Sequence, residues 1–330
     1  MSSIKNLSLF IIVCFISLSI LEIGSRMILL IPSAPEIISI DKKNPLNINF
    51  NNPDSKYLSK HYEYEAITTI DKFGNRVVPS SNENSNKNVV FLGDSFTFGL
   101  GVNDHETIPN LLCRDIDTKC VNLGIPGSGL IKQKNRLESF FRSNTGNGGI
   151  IFHLLFLSTE DMHAGNDLLD TLNEIENFSL KEKKVHDDSV VSGFIKFGRW
   201  LSRNSNFFRI VRVFFGNELR VLAWKNKNTS ASNNEIKVFA NFLNEIKDLA
   251  TKNNFHYKPV LISSYAEKNL DKDEITFHKI NKVSDINLLR LDYSGYIISD
   301  LFFPYDGHHN SMGAEMVKKN LVAYLEKINF

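Results

Sequence analysis

The sequence predicts an α/β fold built on a parallel sheet that is covered on both faces. Three observations carry this expectation. Val89-Val90-Phe91-Leu92 is a short, wholly apolar run that stops at Gly93, the pattern of a strand buried on both sides. Similar runs recur at Cys120 to Leu123, Gly149 to Leu157, Pro259 to Ser263 and Asn287 to Leu291. Segments with helical spacing lie between them, and strands that alternate with helices build parallel sheets.

In chain order, the first expected element is an anchor. From Leu7 to Ile23 the polar residues are serines and Glu22. About 20 residues rising about 1.5 Å each match a hydrocarbon core of about 30 Å. Met27 to Ile31 continues apolar and Pro32 ends the helix, so residues 1–31 are expected to form a transmembrane signal anchor, with residues 7–31 in the membrane. Glu22 and Arg26 are four apart and can pair on one helix face. A cleaved signal peptide fits less well, because Gly24 and Ser25 are adjacent and flanked by charge. Cys14 is expected to face lipid or a helix neighbour. Lys5 precedes the span while Arg26, Lys42 and Lys43 follow it, so charge alone does not orient the anchor.

Residues 32–86 are expected to form a stalk and N-terminal extension. Within them 33–60, rich in Asn, Pro, Ser and Lys, suits a surface-hugging stalk. Ile67 to Ile70 reads as a short strand leading into the turn Asp71 to Asn75, and Ser80 to Asn88 as a loop. The main domain spans 87–330, with helices expected near 106–115, 131–142, 234–251 and from Met312 to about Glu326. A section at about 168–232 breaks the rhythm. There Phe194, Phe197, Trp200, Phe207 and Phe214 are interleaved with Lys196, Arg199, Arg203 and Arg209. This reads as a variable insertion of packed helices with snorkelling basic side chains, or as a lid or membrane-surface helix.

Bulk composition narrows the function little. The chain has 330 residues, is 42% hydrophobic and 23% charged, and carries a formal net charge of +1. Disorder throughout is excluded, and the charge balance gives no reason to expect a nucleic-acid partner. Cys113 and Cys120 are close enough in sequence for a disulfide if the compartment is oxidising, or they are buried thiols. Cysteine spacing offers no zinc site, and no cofactor is expected.

The chemistry-bearing residues lie at the two ends of the main domain. Ser95 stands just beyond the buried strand in Gly93-Asp94-Ser95-Phe96-Thr97-Phe98-Gly99, at the carboxyl edge of the sheet where ligand crevices form. Gly93 and Gly99 permit a tight turn, and a serine so placed needs a base. Candidate bases stand in Asp306-Gly307-His308-His309-Asn310, where Asp306 can orient an imidazole. The simpler alternatives are a cap or turn role for Asp306, a solvated loop role for one histidine, or a metal site in the cluster. No other spacing supports a metal.

Gly93-Asp94-Ser95 resembles the first block of the SGNH/GDSL hydrolase superfamily. The resemblance implies a three-layer α/β/α sandwich around a parallel sheet, a serine nucleophile, and a C-terminal Asp and His. Val121 to Gly129 resembles the second block, which implies that Gly127 donates its N–H to the oxyanion beside that of Ser95. Ser128 is a rival nucleophile in a less clear setting. The third block departs from the family. Ser158-Thr159-Glu160-Asp161 follows the strand directly, and Gly165-Asn166-Asp167 comes later. Asn166 is taken as the third oxyanion donor. Glu160 is its rival, and a carboxylate there would repel an oxyanion. In the fourth block, Asp-x-x-His selects His309, whereas His-x-Asn-x-x-Gly fits His308, Asn310 and Gly313 and selects His308. His308 with Asp306 is the preferred pair.

The expected anchor and the resemblance together imply a membrane-anchored esterase on acyl or acetyl esters of small molecules or envelope glycans, its catalytic domain extracytoplasmic (periplasmic). An O-acetyltransferase of an envelope polysaccharide would use the same site. A non-catalytic glycan-binding envelope protein is the alternative from another class, and the displaced Asn block is the feature in its favour.

Overall fold

The computed structural model describes residues 13–25, 36–40, 51–61, 63–143, 148–156, 205, 207–208, 233–263, 277–282, 286–304 and 306–330. The chain divides into two compact units, one of Met1–Pro35 with Asn177–Asn228 and the other of Glu36–Glu176 with Thr229–Phe330.

In the first unit residues 13–25 are helical. Among the described residues no helix is long and apolar enough to cross a membrane. The described stretch is shorter than the expected span, whose residues 7–12 and 26–31 lie outside the described residues. Its apolar side chains are solvent-facing, with Phe15 72% and Ile20 64% exposed. Arg26 lies outside the described residues, so its pairing with Glu22 is not seen. Glu22 Oε2 instead accepts hydrogen bonds from Ser205 Oγ (2.8 Å) and the Phe207 amide (3.1 Å). The rest of the expected helical insertion lies outside the described residues.

The second unit begins with an antiparallel sheet of β1 (Glu36–Ser39), β2 (Lys56–Lys60) and β3 (Glu65–Thr69). β1 and β2 fall within 33–60, the stretch read as a surface-hugging stalk. β2 alternates, with Tyr57 and Ser59 buried between exposed Lys56 and Lys60. That period of two is the signature of a strand with one covered face. Polar composition around it hid the signal.

The main sheet has five parallel strands in the order β5-β4-β6-β7-β8, formed by β4 (Asn88–Gly93), β5 (Lys119–Asn122), β6 (Gly149–Phe156), β7 (Phe255–Ile262) and β8 (Leu289–Arg290). Helices α1 (Ser95–Phe98), α2 (Ile108–Ile116), α3 (Leu130–Ser143), α4 (Asn233–Lys252) and α5 (Ser311–Lys327) follow the predicted alternation. Alternate residues of β4 face opposite layers. Val89 and Phe91 join a core with Leu112 of α2 and Val317 and Leu321 of α5. Val90 and Leu92 join one with Leu137 of α3 and Leu243 and Ile246 of α4. The three-layer expectation therefore describes this unit. Burial on both faces explains why β4 reads as a continuous apolar run. Cys113 and Cys120 form a disulfide with their Cα atoms 6.3 Å apart, joining the end of α2 to β5.

The strand order decides where a site can form. β4 is the first strand of the parallel sheet in sequence and has β5 on one side and β6 on the other. Chain connections leave β4 in opposite directions, so a crevice opens at its carboxyl end. Ser95 stands there.

Candidate active site

Gly93 ends β4 at φ +149°, and a Cβ at this position would fall 2.1 Å from Thr97 Oγ1 and 2.7 Å from the Leu154 carbonyl. Only glycine lets the chain turn so sharply beside β6. Asp94 caps the next turn by accepting the Phe96 amide at 2.9 Å. Ser95 opens α1, and Gly99 closes it in the left-handed conformation. Burial, opposed by the Phe96 hydrogen bond and by His308, raises the Asp94 carboxyl to about 6.

A buried cation fixes the far end of this turn. Arg76 is 1% exposed and donates to the carbonyls of Phe98 (3.0 Å), Gly99 and Val102 (2.6 Å), while its Nε meets Asp104 Oδ1 at 3.0 Å. Burial lowers its pKa, and Asp104 counters that effect. Asn122 at the end of β5 donates to the Thr97 carbonyl (3.0 Å) and accepts the Gly124 amide (2.9 Å). The turns after β4 and β5 are thus stitched together, and Ile125 N–H also donates to the Gly93 carbonyl at 3.1 Å.

The C-terminal loop delivers the other two groups. Phe303 N–H donates to the His308 carbonyl and Gly307 N–H to the Phe303 carbonyl, each at 2.8 Å, which closes a tight turn around Asp306. Asn310 then caps α5 by accepting the Gly313 amide at 3.0 Å. Gly313 is required because a Cβ would lie 2.2 Å from the Leu301 carbonyl and 2.8 Å from the His309 ring. The His-x-Asn-x-x-Gly spacing is therefore a capped helix start packed on the loop that carries the histidines.

His308 Nε2 lies 2.7 Å from Ser95 Oγ, and His308 Nδ1 is hydrogen-bonded to Asp306 Oδ1. Burial works against the Asp306 carboxylate. The His308 hydrogen bond and charge, with His61, nevertheless hold its pKa below the ordinary range. His309 points the other way. It is 5% exposed, packs against Phe96 and Phe302, and neither ring nitrogen finds a hydrogen-bond partner among the described residues. Burial, reinforced by His308, drives its pKa down to about 3, so it is a neutral core residue. Adjacent histidines thus occupy opposite environments. Phe96, Leu100, Val102, Ile108 and Ala314 line a small apolar recess beside the Ser95–His308 pair.

Gly127 lies in the turn after β5, exposed and at φ +67°, with nothing within 4 Å of a Cβ built there. Its neighbour Ser128 is 3% exposed, and its hydroxyl has no hydrogen-bond partner among the described residues. The Ser128 carbonyl accepts from Gln133 Nε2 (3.0 Å), Gln133 Oε1 meets His153 Nε2 (2.6 Å), and His153 Nδ1 meets the Tyr257 hydroxyl (2.7 Å). Asn166 and Glu160 lie outside the described residues. Among the described residues no cluster of His, Cys, Asp and Glu could hold a metal ion.

Sequence reasoning missed Arg76, Tyr64 and Glu63. Tyr64 donates its hydroxyl to Asp306 Oδ2 (3.2 Å), and Glu63 accepts the Asp306 amide (2.8 Å). A buried arginine among turn residues leaves no spacing signal, and 61–64 lies at the edge of the stretch read as a stalk.

No family model matches the sequence, and no curated protein matches it. Among solved structures, the chain is similar to a member of the lipolytic protein G-D-S-L family from Veillonella parvula DSM 2008. Identity is 12% and the TM-score 0.41, over 72% of this chain and 97% of that one. It is also similar to a catalytic mutant of an acetylxylan esterase from Geobacillus stearothermophilus, at 13% identity and a TM-score of 0.36, over 74% and 95% of the two chains. An alpha/beta hydrolase enzyme from the metagenome of Lake Arreo, Spain, gives 11% and 0.39, over 72% and 94%.

Proposed function

We propose that this chain is a serine esterase of the SGNH/GDSL type. The observation that carries the reading is the line Ser95 Oγ, His308 Nε2, His308 Nδ1, Asp306 Oδ1, with the serine–histidine contact at 2.7 Å. A nucleophile, a base within hydrogen-bond reach and an oriented acid on the base's far nitrogen are what acyl transfer through a serine needs. His308 takes the proton from Ser95 Oγ as that oxygen attacks the ester carbonyl carbon. Asp306 holds the tautomer and stabilises the imidazolium. The amides of Ser95 and Gly127, with Asn166 as the third donor, meet the oxyanion. His308 returns its proton to the departing alcohol, and water then resolves the acyl-enzyme. A sugar hydroxyl in place of water makes the same site an O-acyltransferase. The substrates in view are acyl or acetyl esters of small molecules or envelope glycans.

Residues 7–31 are read as a single-pass anchor with the domain on the extracytoplasmic side. The exposed apolar side chains of helix 13–25 support contact with lipid. The Cys113–Cys120 bond supports an oxidising compartment. Purified full-length chain is expected to hydrolyse p-nitrophenyl acetate, and Ser95→Ala to lose that activity. Hydrolysis at the native rate in Ser95→Ala would overturn the reading.

A further inference from the structure

Asp306 is held from a side the mechanism above does not use. Its Oδ1 takes His308 Nδ1 and the His308 amide (3.3 Å), while its Oδ2 takes the Tyr64 hydroxyl (3.2 Å). The Asp306 amide is fixed in turn by Glu63 Oε2 at 2.8 Å. Two residues of the 61–64 turn therefore grip the backbone and the free oxygen of the acid.

The Tyr64 ring has little room to move. It is 8% exposed, stacks on His61 at 5.0 Å and packs against Phe303 at 4.8 Å. It also crowds Gly101, where a Cβ would lie 3.1 Å from Tyr64 Cε1. Its backbone closes on His61, whose amide donates to the Tyr64 carbonyl at 2.8 Å. Burial, with the Asp306 and Glu63 carboxylates, raises the phenol's pKa, so the hydroxyl keeps its proton and serves as a donor. His61 Nδ1 accepts the Glu63 amide (3.4 Å), and burial lowers its pKa. Its Nδ1 also lies 3.7 Å from the Glu63 carboxylate, which with Asp306 opposes that lowering.

Resting on the serine-esterase reading, we propose that Tyr64 is a positioning residue. Its hydroxyl holds Asp306 Oδ2 so that Oδ1 stays aligned on His308. A carboxylate with one oxygen tethered cannot rotate away from the imidazole, and its charge is shared between two donors. The titratable groups around this pair are Asp94 on the Ser95 turn, His61 and Glu63 on the 61–64 turn, and His309 on the loop.

Tyr64→Phe keeps the ring and removes the hydroxyl. The expected result is kcat lower by roughly tenfold or more with KM unchanged, the size of one hydrogen bond to a charged group. The acidic limb of the pH–rate profile moves to higher pH, because a carboxylate that loses a donor binds the imidazolium more strongly. In an Asp306→Asn background the same change alters kcat by less than about twofold, since the coupling is gone. A native kcat with an unmoved limb overturns the proposal. So does an equal loss in the Asp306→Asn background, which would mean that Tyr64 acts through packing. Should Tyr64→Phe lose its near-UV circular dichroism, 3-fluorotyrosine at position 64 gives a stronger donor and moves the limb to lower pH, and an unmoved limb again overturns the proposal. If the native chain hydrolyses no ester, the serine-esterase reading fails. The downfield Nδ1–H proton resonance of His308 still tests Tyr64: a displacement in Tyr64→Phe upholds the tether, and none overturns it.

Discussion

Two histidines of this fold sit in the middle of hydrogen-bonded lines, and their surroundings give them opposite properties. His153 on β6 lies between the Tyr257 hydroxyl and Gln133 Oε1, fully buried, with neutral partners on both nitrogens. Burial lowers its pKa to about 3. His308 lies between Asp306 and Ser95, partly open to solvent, with an anion on one nitrogen and a hydroxyl on the other. Only the second line offers a charge to stabilise an imidazolium and a group that gains by losing a proton. Geometry alone would rate the two alike, because both rings have partners on both nitrogens. The charge and accessibility of the partners separate a base from a strut.

The first way to break this comparison is to remove each ring. His308→Ala is expected to lower kcat on p-nitrophenyl acetate by at least about 10⁴-fold with an unchanged melting temperature. His153→Leu is expected to do the reverse. It leaves the Tyr257 hydroxyl and Gln133 Oε1 buried without their partner, at a cost of about 3 kcal/mol in urea unfolding. kcat then stays within about fivefold of native. Equal losses of activity in the two variants would erase the distinction.

Acid unfolding sharpens the comparison. His153 and His309 both have folded-state pKa values of about 3, below the ordinary 6.5. The unfolded chain therefore binds more protons than the folded one between those limits. Their contribution to stability is complete above about pH 6.5 and is lost as pH falls toward 3. The urea midpoint should fall across that window, and His309→Phe, which suits the Phe96–Phe302 environment, should flatten the fall. A slope unchanged in His309→Phe would show that its ring is not buried as a neutral group.

The smallest effect is expected at Asp94. Its folded-state pKa of about 6 exceeds the ordinary 3.8, so stability is lost as pH rises between those values. Asn at this position keeps an oxygen for the Phe96 amide without a buried charge. Asp94→Asn should melt about 2 °C higher at pH 8 and equal to native at pH 4. A lower melting temperature at pH 8 would mean that the charge is compensated.

Much of this fold was legible because burial on both faces leaves a simple record. Val89 to Leu92 is apolar without interruption, Ile150 to Leu155 is broken only by His153, and the helices between strands keep their spacing. In the N-terminal sheet β3 was legible as the strand at Ile67 to Ile70, whereas β2 was not, since only its alternate residues are buried and lysines flank them. Ser95 was visible from its glycine-flanked turn, and Asp306 and His308 from the capped start of α5. His308 was preferred to His309 on the His-x-Asn-x-x-Gly spacing, and the burial of the His309 ring was not readable, because two adjacent histidines differ only in which way the loop turns them. Arg76, Glu63 and Tyr64 serve the site across 22 to 243 positions of sequence, and contacts at such separations leave no local pattern to read.

If His308 and Asp306 make Ser95 a nucleophile, a fluorophosphonate reacts at that serine. Mass-spectrometric mapping on the full-length chain is expected to find one phosphonyl group, on Ser95, absent from Ser95→Ala and nearly absent from His308→Ala. A chain that stays unlabelled, or one that carries the group on Ser128, would contradict the account.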